Sequence, residues 1–147
     1  MKRDVLTIIV DADALIALFT EGDVHAAHSL ELLDRLIADG AQLLHPSTTI
    51  VEAVTTLQRR LNNPQAAAEL VQLVKEAKLA VEPVDDAVLA ESFTLFNPHG
   101  SKQNTLFDAV VATIAKRLGA EAIFSFDGWY VKRGFRLMTQ LYGAQIA

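Results

Sequence analysis

The sequence has no cysteine. A disulfide framework and a thiolate metal site are therefore excluded, and any bound metal must sit on oxygen or imidazole. Long apolar runs are also missing: nothing approaches the roughly 20 residues needed to cross a bilayer. The basic pair Lys2-Arg3 leads into an apolar run, but Asp11 and Asp13 interrupt it too early for a signal peptide, and no small-residue cleavage pattern follows. A cytoplasmic protein without a membrane segment is expected. Positive charge is in deficit, with a formal net charge of −5. That counts against tight, nonspecific binding to duplex nucleic acid, which depends on neutralising many phosphates. It leaves room for an enzyme whose acids gather around cations. Repeats, low-complexity tracts and an interdomain linker are absent as well, so the 147 residues are expected to form one domain, 1–147.

What the chain does have is an alternation of apolar strands and helical patterns. Thr7-Ile8-Ile9-Val10 runs straight into Asp11-Ala12-Asp13 and an apolar helical segment. Such a run reads as a strand buried on both faces, the usual state of a central parallel strand. Asp13 is expected to cap a short helix to Phe19, and Asp23 a second helix from Val24 to about Ala38. Gln42 to His45 reads as a strand stopped by Pro46, followed by a helix from Ser47 to Leu61. Pro64 opens a fourth helix to about Lys78. Leu79 to Val84 is a third strand candidate, and Asp85 opens a fifth helix to about Phe96. After the turn-rich stretch 97–104, Thr105 caps a sixth helix that ends at Gly119. Ala122 to Phe126 is another buried strand, and Phe135 to Thr139 an edge strand. The alternation argues for an α/β fold: a parallel sheet of about five strands with helices on both faces.

Four acids stand out by position. Asp11 and Asp127 follow apolar strands, where an Asp often only caps a turn. Glu52 and Asp108 fall in first turns of helices, where each fits a capping box with Thr49 or Thr105. Asp108 is the more demanding, because Phe107, Ala109, Val110 and Val111 make its helix apolar nearly all round. A buried carboxylate needs a cation or hydrogen-bond donors. In a right-handed α/β unit, strand C-termini and helix N-termini share one edge. Four carboxylates there repel one another unless divalent cations sit between them, and hard oxygen ligands suit Mg²⁺ or Mn²⁺. Such a site can polarise a phosphate and activate water for in-line attack. Lys102, Lys132 and Arg133 lie close in sequence to the last two acids and are candidates for holding a phosphate backbone.

Ile9-Val10-Asp11, the Glu52 helix, Thr105-x-x-Asp108 with Ala112 and Ala115, Ser125-x-Asp127 and the closing Tyr130 resemble the PIN-domain nucleases, with greatest similarity to the small VapC-type toxins. The resemblance covers essentially the whole chain. It implies a three-layer PIN fold, metal-dependent RNA cleavage by activated water, a homodimer, and inhibition by a cognate antitoxin that places an Arg against the carboxylates. It also implies that Asp11, Glu52, Asp108 and Asp127 are the metal-binding and catalytic quartet, supported by Asp13, Thr105 and Ser125. Asp13 is a departure, since the family more often has Asn or a small polar residue there.

Two other readings compete. The strand followed by Asp11-x-Asp13 also resembles the opening motif of haloacid dehalogenase-like phosphatases, but Lys75, Lys78 and Lys102 lack a setting for the lysine that family needs. A PIN-like module that only binds a protein partner would gain nothing from clustered, mutually repelling acids. The four histidines, His25, His28, His45 and His99, are scattered and complete no metal site. Trp129 and Tyr130 can stack a base or pack in the core, and Arg59-Arg60 reads as a solvated helix face.

Overall fold

Ile8, Ile9 and Val10 have no polar face to offer water, and the computed structural model, which describes residues 5–142, buries all three at the centre of a sheet. This strand, β1 (Thr7–Val10), pairs in parallel with β2 (Gln42–Pro46) on one side and β4 (Ala122–Phe124) on the other. A short β3 (Ala80–Glu82) extends the sheet beyond β2, giving the order β3-β2-β1-β4 with every pairing parallel. Side chains alternate across β1, so Ile8 and Val10 enter one apolar layer and Ile9 the other.

The first layer is built from α1 (Ala12–Phe19), α2 (Ala26–Ala38), α3 (Ser47–Thr55) and α4 (Pro64–Lys75), and includes Leu15, Leu32, Leu36, Leu57 and Leu70. The second is dominated by α6 (Leu106–Leu118), whose Val110, Val111, Ile114 and Ala115 cover Ile9, Leu44 and Ile123, with α5 (Asp86–Ser92) adding Val88. The expected three-layer α/β architecture is present. Among the described residues no helix is long and apolar enough to cross a membrane.

The fifth strand expected at Phe135 to Thr139 is reduced to a single parallel bridge between Ile123 and Leu137. The chain turns at Gly134 (φ 88°), and Gln140 then takes the Leu137 N–H at 2.9 Å, opening α7 (Met138–Tyr142). A side chain that reaches back to an N-cap N–H favours the helix that turns the chain away from β4. Several expected boundaries shift for similar local reasons. Asp11, not Asp13, is the N-cap of α1. Asp23 forms a turn with the His25 N–H, so α2 starts at Ala26. The α3 helix continues as a π turn, Thr56–Arg60, which leaves Arg59 and Arg60 exposed as expected.

Candidate functional site

The carboxyl edge of the sheet collects the acids. Asp11 follows β1 directly, caps α1, and is buried. Its Oδ1 accepts from the Ala12 N–H at 2.8 Å and its Oδ2 from the Tyr130 hydroxyl at 2.8 Å. Asp108 sits in the first turn of α6, in the capping-box position the sequence suggests, with Oδ2 accepting from the Thr105 N–H at 2.9 Å. Its Oδ1 lies 3.4 Å from the Tyr130 hydroxyl. Thr105 thus supports Asp108 through its backbone.

Asp127 lies three residues beyond the end of β4, in a loop instead of at a strand end. It is held from two sides: Oδ2 accepts from Asn104 Nδ2 at 2.8 Å and Oδ1 from the Trp129 N–H at 2.9 Å. Asp13 is the residue that shapes this loop. Its Oδ2 accepts from Ser125 Oγ at 3.0 Å and from the Phe126 N–H at 2.8 Å, while Ser125 Oγ accepts from the Asp127 N–H at 3.1 Å. The carboxylate the sequence offers as a helix cap therefore clamps the first helix to the loop after β4. It takes the Phe126 N–H that would have prolonged the strand.

Glu52 is the exception among the acids. The helix begins at Ser47, so Glu52 falls beyond its first turn and the capping-box reading with Thr49 fails. Among the described residues it has no hydrogen-bond or ion-pair partner. Burial, then the charges of Asp108 and Asp13, push its carboxyl up to about 7.

The same forces act on its neighbours. Asp11 is raised well above the carboxylate range by burial first and then by Asp13 and Asp108, against the Tyr130 hydroxyl and the Ala12 N–H. Asp13 is raised by burial, with Asp127 adding to it. Asp108 is raised by burial and by Asp127, while Thr105, Asn104 and Tyr130 help to hold its charge. Each acid is thus within electrostatic reach of at least two others, which is how clustered like charges behave in a poorly solvated site. The ion pairs among the described residues, Arg35–Asp39, Lys78–Glu76 and Arg117–Glu91, leave the cluster without a basic partner. Lys78 is spent on Glu76, which weakens the phosphatase reading further.

The donor set is all oxygen, which fits a hard divalent cation. Among the described residues no three acids or histidines stand close enough, as arranged, to ligate one ion together. Histidine plays no such part: His25 stacks on Phe126 (4.1 Å between ring centres), His28 tilts against the same ring, and His45 is buried with Nδ1 3.0 Å from the Ala80 carbonyl.

Beside the acids lies a cleft of about 290 Å³ lined in part by Asn104, Thr105, Trp129, Lys132 and Arg133. Lys132 and Arg133 line this cleft. Lys102 is exposed in the neighbouring loop and does not line the cleft. Tyr130 is wholly buried, so its ring cannot stack a base, and its hydroxyl serves the acids instead. Sequence reasoning missed this hydroxyl and Asn104. The only signals were an aromatic just after Asp127 and an Asn just before the Thr105 cap.

Comparison with known proteins adds three findings. No curated protein matches the chain. Among solved structures it is similar to the Mycobacterium tuberculosis toxin VapC20, which cleaves the sarcin-ricin loop, with a TM-score of 0.73 and 22% identity over 87% of this chain and 95% of that one. At that identity the likeness is one of fold. The PIN domain family matches residues 8–133, and the chain belongs to the PIN domain family.

Proposed function

We propose that this protein, acting as one domain over 1–147, is a Mg²⁺- or Mn²⁺-dependent endoribonuclease and the toxin of a toxin–antitoxin pair. The observation that carries the reading is the cluster of Asp11, Asp13, Glu52, Asp108 and Asp127. All five are buried or half-buried, and burial with the neighbouring charges raises the proton affinity of Asp11, Asp13, Glu52 and Asp108, with no basic partner among the described residues. Membership of the PIN family and the fold shared with an RNA-cleaving toxin support it.

Asp11, Glu52, Asp108 and Asp127 would hold the metal by closing around the ion from their present wider spacing. When bound, the ion supplies Lewis-acid polarisation of the phosphate and a more acidic water. The chain's own contribution is positioning. Tyr130 and the Ala12 N–H fix both oxygens of Asp11, and the Thr105 N–H orients Asp108. Asn104 and the Trp129 N–H orient Asp127, and Asp13 with Ser125 locks the loop that carries it. A carboxylate oxygen that accepts one such bond keeps a second lone pair for a cation. Lys132 and Arg133, and Lys102 in the loop beyond, would draw in the phosphate backbone.

The same reading implies action in the cytoplasm, where RNA is met, a homodimer, and an antitoxin partner. An antitoxin Arg would fit the carboxylate cluster, since fork-shaped donors pair well with carboxylates. The test is cleavage of RNA by purified protein with Mg²⁺ or Mn²⁺, with chelator, and with the neighbouring gene's product. Cleavage that needs the ion and stops in the complex is the expected result. Metal-independent cleavage, or full activity in a stoichiometric complex, would overturn the corresponding part.

A further inference from the structure

The cleft beside the acids has a use that phosphate binding alone does not explain. We infer that it is a nucleotide pocket in which the guanidinium of Arg133, backed by Trp129, stacks one unpaired base of an RNA strand. This rests on the ribonuclease reading and names the part of the substrate held next to the reacting phosphate.

Arg133 Cζ lies over the Trp129 ring, 3.8 Å from its centre, and Nη1 lies 3.3 Å from the Trp129 carbonyl oxygen, to which it donates. Such a short separation fits a flat group lying on the ring, within the range of a strong cation–π contact. Two contacts thus hold an otherwise exposed side chain over the ring, at the wall of the cleft that it helps to line. Trp129 in turn meets Tyr130 edge-on at 5.2 Å, and the Tyr130 hydroxyl touches Asp11. The platform is therefore linked to the acids through one residue.

Asn97 and Asn104 supply polar groups along the same cleft. Asn104 commits Nδ2 to Asp127 Oδ2, leaving Oδ1 to accept. Asn97 Oδ1 accepts from the His99 N–H at 3.0 Å, leaving its NH₂ to donate. A planar cation with one acceptor and one donor nearby matches a base face with a hydrogen-bonding edge. The cleft volume of about 290 Å³ falls at the lower end of small-ligand sites, which run from roughly 300 Å³ upward. That is room for one nucleotide.

Electrostatics point the same way. With a net charge of −5 and only Lys132 and Arg133 contributing charge to the cleft wall, the chain cannot hold RNA by tracking many phosphates. Stacking is the interaction that an acidic protein can still use, and Arg guanidinium planes supply it. Bases in a duplex have both faces covered, so the pocket selects single strands.

Trp129 is the sole tryptophan, and its fluorescence reports on the cleft. The experiment titrates wild-type protein and Arg133→Lys, in chelator so that nothing is cut, with short single-stranded RNA oligonucleotides covering all four bases. Matched abasic oligonucleotides are titrated alongside. Lysine keeps the charge and loses the plane. Wild type should bind at least one base-bearing strand about tenfold or more tightly than its abasic counterpart. Arg133→Lys should lose most of that preference, while its abasic affinity, which depends on a charge that lysine keeps, falls by much less. A preference equal in the two proteins, or absent in both, overturns the pocket. Cleavage of the same oligonucleotides by wild type with Mn²⁺ separates the two readings: cutting without base preference sinks the pocket alone, and no binding or cutting of any RNA sinks the ribonuclease reading with it.

Discussion

The Tyr130 hydroxyl donates to Asp11 Oδ2 at 2.8 Å across 119 residues of sequence. A phenol has one proton to give, and the shorter contact takes it, leaving Asp108 Oδ1 at 3.4 Å as a long second neighbour. Burial, then the charges of Asp11 and Asp108, raise the phenol's own pKa, so it remains a donor throughout the physiological range.

Tyr130→Phe should therefore keep the fold, because the ring fills the same wholly buried space. It should cost about 1–2 kcal/mol of stability, the value of a hydrogen bond to a charged group less some relaxation. Divalent-ion affinity and RNA cleavage should both fall about tenfold, since Asp11 loses the donor that orients it and favours its charge. Calorimetric Mn²⁺ titration together with a cleavage assay reads both effects. Unchanged metal affinity would assign Tyr130 to the core alone.

Much of this arrangement was legible because it depends on local pattern. Ile8-Ile9-Val10 before Asp11, and a Thr105 cap three residues before Asp108, each place an acid on the carboxyl edge of a parallel sheet. What stayed hidden depends on contacts between distant residues. The Asp13 clamp on Ser125 and Phe126 spans 112 and 113 positions, and nothing near Asp13 distinguishes it from a cap. The Glu52 capping box was excluded only by where α3 begins, and α3 starts at Ser47, directly after the Pro46 that ends β2. The fifth strand gave way to the helix α7, whose N-cap N–H Gln140 takes, a contact that a β-pattern reading of Phe135 to Thr139 does not weigh.

Glu52 gives the site a signature in pH. Its folded carboxyl titrates at about 7 against an ordinary value of 4.5. The native state therefore binds more protons than the unfolded state between these values, and metal-free protein loses stability as pH rises through that window. Discounted for solvent screening at a half-buried group, the Glu52 share is about 1–2 kcal/mol. Glu52→Gln should flatten this part of the profile in chemical denaturation at successive pH values. An unaltered profile would mean that Glu52 is solvated and lies outside the cluster.

Lys132 and Arg133 test the approach of the RNA backbone. Each phosphate contact on a single strand contributes roughly 0.7 to the slope of log affinity against log salt. Lys132→Ala with Arg133→Ala should weaken RNA binding and lower that slope by about 1.4 if both touch phosphate. Binding measured across a salt series settles the matter, and an unchanged affinity and slope would remove both residues from the interface.

Asp108→Asn puts the most weight on the metal site. The amide oxygen can still accept from the Thr105 N–H, so a purely structural Asp108 predicts little change in activity. A metal ligand predicts the opposite, because the amide removes the charge that the ion neutralises. The decisive measurement is Mn²⁺ binding by calorimetry on wild type and Asp108→Asn, with RNA cleavage and metal-free melting followed on the same preparations. The account predicts lost cleavage and metal binding weakened at least tenfold, with a melting temperature raised by roughly 2–4 °C as about 1 kcal/mol of like-charge repulsion disappears. Wild-type cleavage and Mn²⁺ affinity in the variant, or a lowered metal-free melting temperature, would contradict it.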